Sequence, residues 1–331
     1  MSAQPVHLHI ENARRKADIF HITPERWAAA CARHPELALR LRVTFGWDGD
    51  ALEEALATAE IVIGVPQDRH DLATRAPALR WIHATSAGVD GYLPLDWLPR
   101  RVAFTNNRGA HGAKAQEFMR MAYTMLHTRM PQIIANQQRG RWEQLFTPAL
   151  TGQTALVVGL GDLGEAAARA AKELHLRVIA VRRSARKSRH AEAVYPYSEL
   201  DKLLPTADFV VLAVPLTPET RNLLSRERLA LMKSTAGLIN ISRAPVADYA
   251  ALAEQLQRGA LGGAILDVVE PEPLPADAPL WRVPNLIVTP HISCDDGERY
   301  VDISLDLWVG NLARYLEQKP LARRVDPQAG Y

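Results

Sequence analysis

Gly159-Leu160-Gly161-Asp162-Leu163-Gly164 is the segment of this sequence whose residue types and spacing first suggest chemistry. It directly follows the apolar run Ala155-Leu156-Val157-Val158 and opens the alanine-rich stretch Glu165–Leu174. Glycines at this spacing between a strand and a helix permit a tight turn, close backbone approach to a pyrophosphate, and close packing of helix on strand. The helix N-terminus then presents free N–H groups and a partial positive charge to phosphates. A glycine-rich turn with no ligand would carry the same letters. Strand, loop and helix in register favour a dinucleotide site, with Gly159, Gly161, Asp162, Leu163 and Gly164 as its contacts.

The next apolar run, Val178-Ile179-Ala180-Val181, ends where an acidic residue commonly holds the ribose 2′-hydroxyl of NAD. This sequence has Arg182-Arg183-Ser184 there instead. A carboxylate repels a 2′-phosphate, whereas two guanidinium groups and a hydroxyl pair with it, so the expected cofactor is NADP(H) in preference to NAD(H). One charge-assisted contact corresponds to roughly a ten- to hundredfold preference. The basic run continues through Arg186, Lys187 and Arg189, which read better as solvated surface than as a nucleic-acid patch.

At 331 residues the chain is long enough for two domains. Hydrophobic content of 47% and charged content of 23% exclude a disordered or fibrous class. A formal net charge of +2 gives no global attraction to nucleic acid or anionic lipid, so any anion site must be local. The two cysteines, Cys31 and Cys294, form no disulfide framework and no zinc spacing, which suits a reducing compartment with cytoplasm as the default. Met1 to Lys16 shows no signal-peptide pattern, and no apolar run has membrane-spanning length, so neither a membrane nor a nucleic-acid partner is expected.

Short apolar runs alternate with helical patterns along most of the chain, which argues for parallel sheets covered by helices, an α/β fold. Candidate strands are Val6–Ile10, Leu41–Phe45, Ile61–Val65, Arg80–Ala84 and Val102–Thr105, then Thr154–Val158, Arg177–Val181, Phe209–Val214, Leu238–Asn240, Gly263–Leu266 and Leu286–Thr289. Thr23 reads as a helix cap with Pro24 at the first helical position. Ala110 to His127 is helix-forming, Pro131 marks a break, and a second helical piece ending near Arg141 completes a connector. A last helical pattern covers Glu298 to Leu316.

Three further segments are Asn240-Ile241-Ser242-Arg243-Ala244-Pro245-Val246-Ala247-Asp248, Leu266-Asp267-Val268-Val269-Glu270-Pro271-Glu272-Pro273-Leu274, and Pro279-Leu280-Trp281 continuing through Pro284-Asn285-Leu286-Ile287-Val288-Thr289-Pro290-His291. In order, spacing and flanking residues they resemble the D-isomer-specific 2-hydroxyacid dehydrogenase family, of the NADP-dependent glyoxylate/hydroxypyruvate reductase type. With the glycine loop the resemblance runs from about Thr85 to Val309. It implies that Arg243 binds the substrate carboxylate and polarises its keto oxygen. It implies also that His291 is the general acid in reduction, that Glu272 holds the far imidazole nitrogen, and that Asp267 faces the nicotinamide carboxamide. Pro215, Thr220 and Ile241 join the implied cofactor contacts, and His291 is shared between cofactor and substrate.

Hydride delivery to a ketone leaves a developing alkoxide, and histidine suits the proton donor it needs near neutral pH. The planar arginine fork suits a 2-oxo carboxylate. Thr85-Ser86-Ala87-Gly88-Val89-Asp90 resembles the family loop whose amides meet that carboxylate, which assigns Ala87, Gly88 and Val89 to the substrate. Thr105 to Gly112 is similar, more loosely, to the family's hinge entry.

The resemblance further implies two doubly wound domains with the active cleft between them. A Rossmann cofactor domain, 110–296, is inserted into a flavodoxin-like substrate domain, 1–109 with 297–331. A homodimer formed through the cofactor domains and a small 2-oxo or 2-hydroxy acid as partner complete the expectation. Formate dehydrogenase is a rival disfavoured by Glu272, where that enzyme carries glutamine. A corepressor-like binding protein is a second rival.

Duller readings stand beside these. Glu270 and Glu272 are both acceptable as solvated loop acids, and Arg243 as the cap of a turn. Cys294 lacks any oxyanion motif and reads as a packing residue. Ala244 stands where the family's glycine follows the arginine, which is tolerable if its φ is negative. Asp295 and Asp296, where the family often has small residues, are expected to repel phosphorylated or dicarboxylic substrates.

Overall fold

The computed structural model describes residues 4–184, 186–327 and 329–331. Residues 1–3, Ala185 of the basic run and residue 328 of the tail lie outside the described residues. Two units form, Met1–Ala110 with Asp296–Tyr331, and His111–Asp295.

In the first unit, β1 (Val6–Asn12), β2 (Leu41–Trp47), β3 (Ile61–Ile63), β4 (Trp81–His83) and β5 (Ala103–Thr105) form one sheet in the order β2-β1-β3-β4-β5. Every pairing is parallel, and the order is the flavodoxin-like one. Alternation along the strands divides their side chains between two cores, as the pleat requires. Val62 and Ile82 face a cluster with Leu56, Leu72 and Phe104. Leu8, Ile10, Ile61, Ile63 and Trp81 face the helix Tyr300–Leu316 through Val301, Leu305, Trp308 and Leu312. There Trp308 stacks on Trp81 at 5.4 Å and 15°, with Trp27 set edgewise against it at 5.8 Å. Pro24–Arg33 starts as its sequence indicates, with Thr23 accepting the Arg26 amide.

The second unit holds β6 (Thr154–Val158), β7 (Arg177–Val181), β8 (Ala193–Tyr195), β9 (Phe209–Leu212), β10 (Gly237–Asn240), β11 (Gly263–Leu266) and β12 (Leu286–Val288). Their order is β12-β11-β10-β9-β6-β7-β8, all parallel, which is a Rossmann arrangement with one strand added at an edge. The central strands read as unbroken apolar runs because both faces are covered. Leu156 and Val158 face one core, and Ala155 and Val157 the other.

Three local differences from the sequence expectation have physical reasons. β8 has no counterpart among the candidate strands, because it is a three-residue edge with no fully buried position. The stretch treated as a connector contains the helix Gly112–His127, whose Phe118, Met119, Ala122, Tyr123 and Leu126 belong to the second unit's core. Pro131 does not end a helix. The break falls at Arg129, with φ 55°, and Pro131 sits in the first turn of Met130–Gln138, where its missing N–H costs no hydrogen bond.

Trp308→Ala removes one ring of the Trp308–Trp81 stack from a site 1% exposed and is expected to cost about 3–5 kcal/mol. Denaturant unfolding measures this, and a loss under about 1 kcal/mol would mean the site collapses around the deletion.

Candidate active site

The glycine loop leaves β6 and enters the helix Asp162–Glu173. Gly159 has φ 97°, and a Cβ there would lie 2.5 Å from the Ala213 carbonyl oxygen. A Cβ on Gly164 would collide with the Gly159 carbonyl oxygen, so the first and third glycines are demanded by packing. Gly161 differs, since a Cβ there meets nothing within 4 Å. Gly161 is also the helix N-cap and, having no side chain, leaves the first-turn amides without a side-chain cap. Asp162 is exposed and Leu163 half-buried at this helix start. The arrangement fits a pyrophosphate.

Arg182 directly follows β7, and the Val181 carbonyl before it accepts the Gly159 amide at 2.7 Å. The basic residues therefore start beside the loop. Arg182 is half-buried with its amide on Tyr195, while Arg183 and Ser184 are exposed. Further along the run, Ser188 donates to Glu165 of the loop's own helix at 2.9 Å. Beyond β9, Pro215 is exposed, and Thr220 is buried with its hydroxyl donating to the Pro215 carbonyl at 2.6 Å. That bond shapes the loop after the strand. Ile241 is buried, with its amide on the Leu212 carbonyl.

The ends of β10, β11 and β12 carry the remaining groups. Asn240 is fully buried, and its amide group donates to the Arg243 carbonyl at 3.0 Å and to the Tyr249 hydroxyl at 2.9 Å. Its oxygen accepts from the Ser242 amide and hydroxyl, and Tyr249 donates onward to the Val268 carbonyl. Nothing in the sequence motifs pointed to Tyr249, which anchors the Arg243 turn to the segment after β11. Ala244 lies in a 3-10 turn without positive φ, so the absent glycine is tolerated.

Asp267, 1% exposed, accepts the Thr289 hydroxyl at 2.6 Å, the Ile292 amide at 2.9 Å and the Ser293 amide at 3.0 Å. These bonds close around His291, whose φ is 55°. His291 Nδ1 faces Glu272 Oε2 at 2.8 Å, and the other Glu272 oxygen accepts the Val269 amide at 3.2 Å. With Nδ1–H donated to the carboxylate, Nε2 is the nitrogen left for proton transfer. The structure thus unites Glu272 rather than Glu270 with His291.

Next to this pair, Asp295 Oδ1 lies 3.6 Å from the Nδ1 of buried His111. Burial pushes the Asp295 carboxyl up to about 6, with His291 opposing the rise and Asp267 adding to it. Burial also holds the His111 imidazole below its ordinary value. His111, Cys294 and Asp295 form a group, among the described residues, whose ligand atoms lie within 4.8 Å of one another. Burial first, then Asp295 and Asp267, push the Cys294 thiol up to about 12, which keeps it protonated and argues against a nucleophile. Asp296 closes the turn before the following helix, accepting the amides of Glu298 and Arg299.

In the first unit, the loop after β4 carries Ala87, Gly88 and Val89. The Asn106 side chain donates to the Ala87 carbonyl at 2.8 Å, and the Ser86 hydroxyl to the Gly88 carbonyl at 2.9 Å. Among the described residues the amides of Ala87, Gly88 and Val89 donate to no protein group. A run of such undonated amides suits an anion. Asn106 and Asn107, which the sequence placed only in a hinge entry, hold this loop, and Asn107 is itself fixed by Ser304 at 2.7 Å.

A sequence profile described as "D-isomer specific 2-hydroxyacid dehydrogenase, NAD binding domain" matches residues 121–293. A glyoxylate reductase of Korarchaeum cryptofilum is 31% identical over 285 residues, covering 81% of this chain and 83% of that protein. A D-isomer-specific 2-hydroxyacid dehydrogenase from Xanthobacter autotrophicus, solved with NADPH and MES, superposes with a TM-score of 0.85 at 30% identity over 99% of this chain and all of its own. An NADPH-dependent glyoxylate/hydroxypyruvate reductase from Sinorhizobium meliloti, solved with NADP and sulfate, gives 0.80 at 27% identity over 98% of this chain and 99% of its own.

The raised Asp295 carboxyl has a thermodynamic consequence. Between its ordinary value of 3.8 and about 6, the folded chain keeps a proton that the unfolded chain releases, so this group's contribution to stability falls as pH rises through that window. Asp295→Asn removes the dependence. The Tm gain of the variant over the natural chain is expected to be larger at about pH 8 than at about pH 4, and equal gains in thermal scans at both would contradict the assignment.

Proposed function

This chain belongs to the D-isomer-specific 2-hydroxyacid dehydrogenase family, and from that premise we propose that it reduces a small 2-oxo carboxylate to the D-2-hydroxy acid with NADPH preferred over NADH. The observation that carries the reading is the His291–Glu272 pair at 2.8 Å, set on the same sheet edge as Arg243 and the glycine loop. The cofactor, when bound, supplies the hydride to the 2-oxo carbon. Arg243 grips the substrate carboxylate and polarises the keto oxygen. His291 Nε2 delivers the proton to the developing alkoxide while Glu272 holds the imidazole in orientation through Nδ1. The amides of Ala87, Gly88 and Val89 supply further donors to the carboxylate.

Gly159, Gly161 and Gly164 hold the pyrophosphate at the helix N-terminus, with Asp162 and Leu163 lining it. Pro215, Thr220 and Ile241 border the cofactor, and Asp267 retains lone-pair capacity for the carboxamide. Arg182, Arg183 and Ser184 pair with the 2′-phosphate, which is the basis of the NADPH preference. The NADP(H) named with two solved relatives supports that choice. On this reading the unit His111–Asp295 is the cofactor domain and the other unit takes the substrate.

The same cofactor unit carries Trp142 and Phe146, exposed by 94% and 85%, and Ile133 and Ile134, partly exposed. Exposed large apolar side chains of this kind fit a homodimer formed through this unit. Among the described residues no helix is long and apolar enough to cross a membrane. With both cysteines free, the protein suits a reducing compartment such as the cytoplasm.

A spectrophotometric scan of glyoxylate, hydroxypyruvate, pyruvate and bulkier 2-oxo acids with both cofactors tests the reading. NADPH is expected to exceed NADH in kcat/KM by roughly ten- to a hundredfold. Cofactor binding without any turnover would favour a regulatory binding protein instead. His291→Gln is expected to lower kcat by at least about a hundredfold while leaving the Kd for NADPH nearly unchanged. Turnover comparable to the natural chain would remove His291 from the proton-transfer step.

A further inference from the structure

A cavity of about 240 Å³ lies within the first unit, lined by residues that include Glu11, Asn12, Lys16, Arg69, Thr85 and Tyr92. It opens at the C-terminal ends of β1 and β3. The sheet order β2-β1-β3-β4-β5 reverses between these strands, and such a switch point is where open parallel sheets bind ligands. The volume lies below the usual range of drug-sized sites, so the cavity suits a small molecule or part of one.

Three cations border it, Arg15, Lys16 and Arg69. Lys16 is half-buried, and among the described residues neither it nor Arg15 has an ion pair. Burial, reinforced by Arg15, pulls the Lys16 ammonium below the usual lysine range, and no acid opposes the shift. Arg69 is held in place by its contacts over Trp97 at 5.2 Å and Tyr92 at 5.8 Å. The cavity's one acid is already engaged. Glu11 Oε2 bonds His9 at 2.9 Å and Oε1 accepts the Gly49 amide at 2.7 Å. A desolvated cation in a polar cavity without a counter-charge calls for an anion from outside the chain.

Thr85 and Gly91 both line the cavity, and between them in sequence lie Ala87, Gly88 and Val89 with their undonated amides. The cavity therefore adjoins the loop assigned above to the substrate carboxylate. We propose that Lys16, Arg69 and Arg15 receive a second anionic group at the far end of the substrate, so that the preferred 2-oxo acid is a dianion ending in a carboxylate or a phosphate. This rests on the reductase reading. It opposes the expectation that Asp295 and Asp296 repel such substrates. The Asp296 carboxylate is already engaged, accepting the amides of Glu298 and Arg299 in the turn before the helix.

The test compares kcat/KM with NADPH for 2-oxoglutarate and 2-oxopentanoate, which share a chain and differ in the terminal carboxylate. A parallel pair, 3-phosphohydroxypyruvate and hydroxypyruvate, reports on a phosphate terminus. At least one dianion is expected to exceed its uncharged-terminus counterpart by about tenfold or more, and the pair showing it names the terminus. Lys16→Met and Arg69→Met, made separately, are expected to collapse that ratio, and Lys16→Arg to retain it. Equal rates within both pairs, or ratios unchanged in both methionine variants, overturn the proposal. Calorimetric binding of glutarate against pentanoate separates this from the parent reading. If no 2-oxo acid turns over, the reductase reading fails. Glutarate binding lost in Lys16→Met then still supports the anion site, and no glutarate binding overturns it.

Discussion

Asp267 is almost completely buried, yet its two oxygens accept a hydroxyl and two backbone amides from the segment after β12, and those bonds determine where His291 points. A non-glycine residue at φ 55° carries backbone strain of order 1–3 kcal/mol and persists only where its surroundings over-determine it. Charge-assisted hydrogen bonds contribute about 1.5–3 kcal/mol each, so three of them outweigh that strain. The imidazole is consequently presented to Glu272 by a turn locked from beneath. Histidine is among the residues that tolerate the left-handed region, which lets the locking turn and the reactive group share one position.

The same logic recurs one strand over. Buried Asn240 plays for Arg243 the part that Asp267 plays for His291, tying the turn after β10 to Tyr249 and through it to the segment after β11. Both anchors sit at the C-terminal ends of adjacent parallel strands, where a doubly wound sheet leaves a crevice. Each uses a polar side chain that would be costly to bury without partners and is fully supplied with them. Loss of either partner set would be felt at the reacting groups before it was felt in the sheet.

Most of this was legible in the residue order, and the exceptions share a cause. The glycine spacing and the parallel strands β6, β7 and β11 announce themselves because their letters are rare in combination or periodic in burial, whereas the Glu272–His291 pair was legible through the resemblance to the family. β8 escaped because three half-exposed residues carry no periodicity. Tyr249, Asn106, Asn107 and the His111–Asp295 approach escaped because each acts through a contact distant in sequence. Pro131 misled because a proline marks a helix boundary without saying which end. Asp295 and Asp296 looked alike as neighbouring acids, and only their partners separate a carboxylate that closes a turn from a carboxyl pushed towards neutrality by burial.

A chain of nearly balanced charge has to recognise anions locally, and on the proposed function it has two means of doing so. Backbone amides serve wherever the anion must come close: at Gly161, where open space replaces a side chain, and at Ala87–Val89, whose carbonyls are tied back by Asn106 and Ser86. Side-chain cations would serve at the periphery, as proposed for Arg182 and Arg183 beyond the glycine loop and for Lys16 and Arg69 beyond the loop after β4. Amides bring no net charge and no rotamer entropy to lose, which suits contacts required of every ligand. Arginine and lysine add selective attraction that one or two substitutions can change, which suits contacts that distinguish one dinucleotide or one acid from another. The two loops thus divide common recognition from discrimination in the same way, although they lie on different sheets.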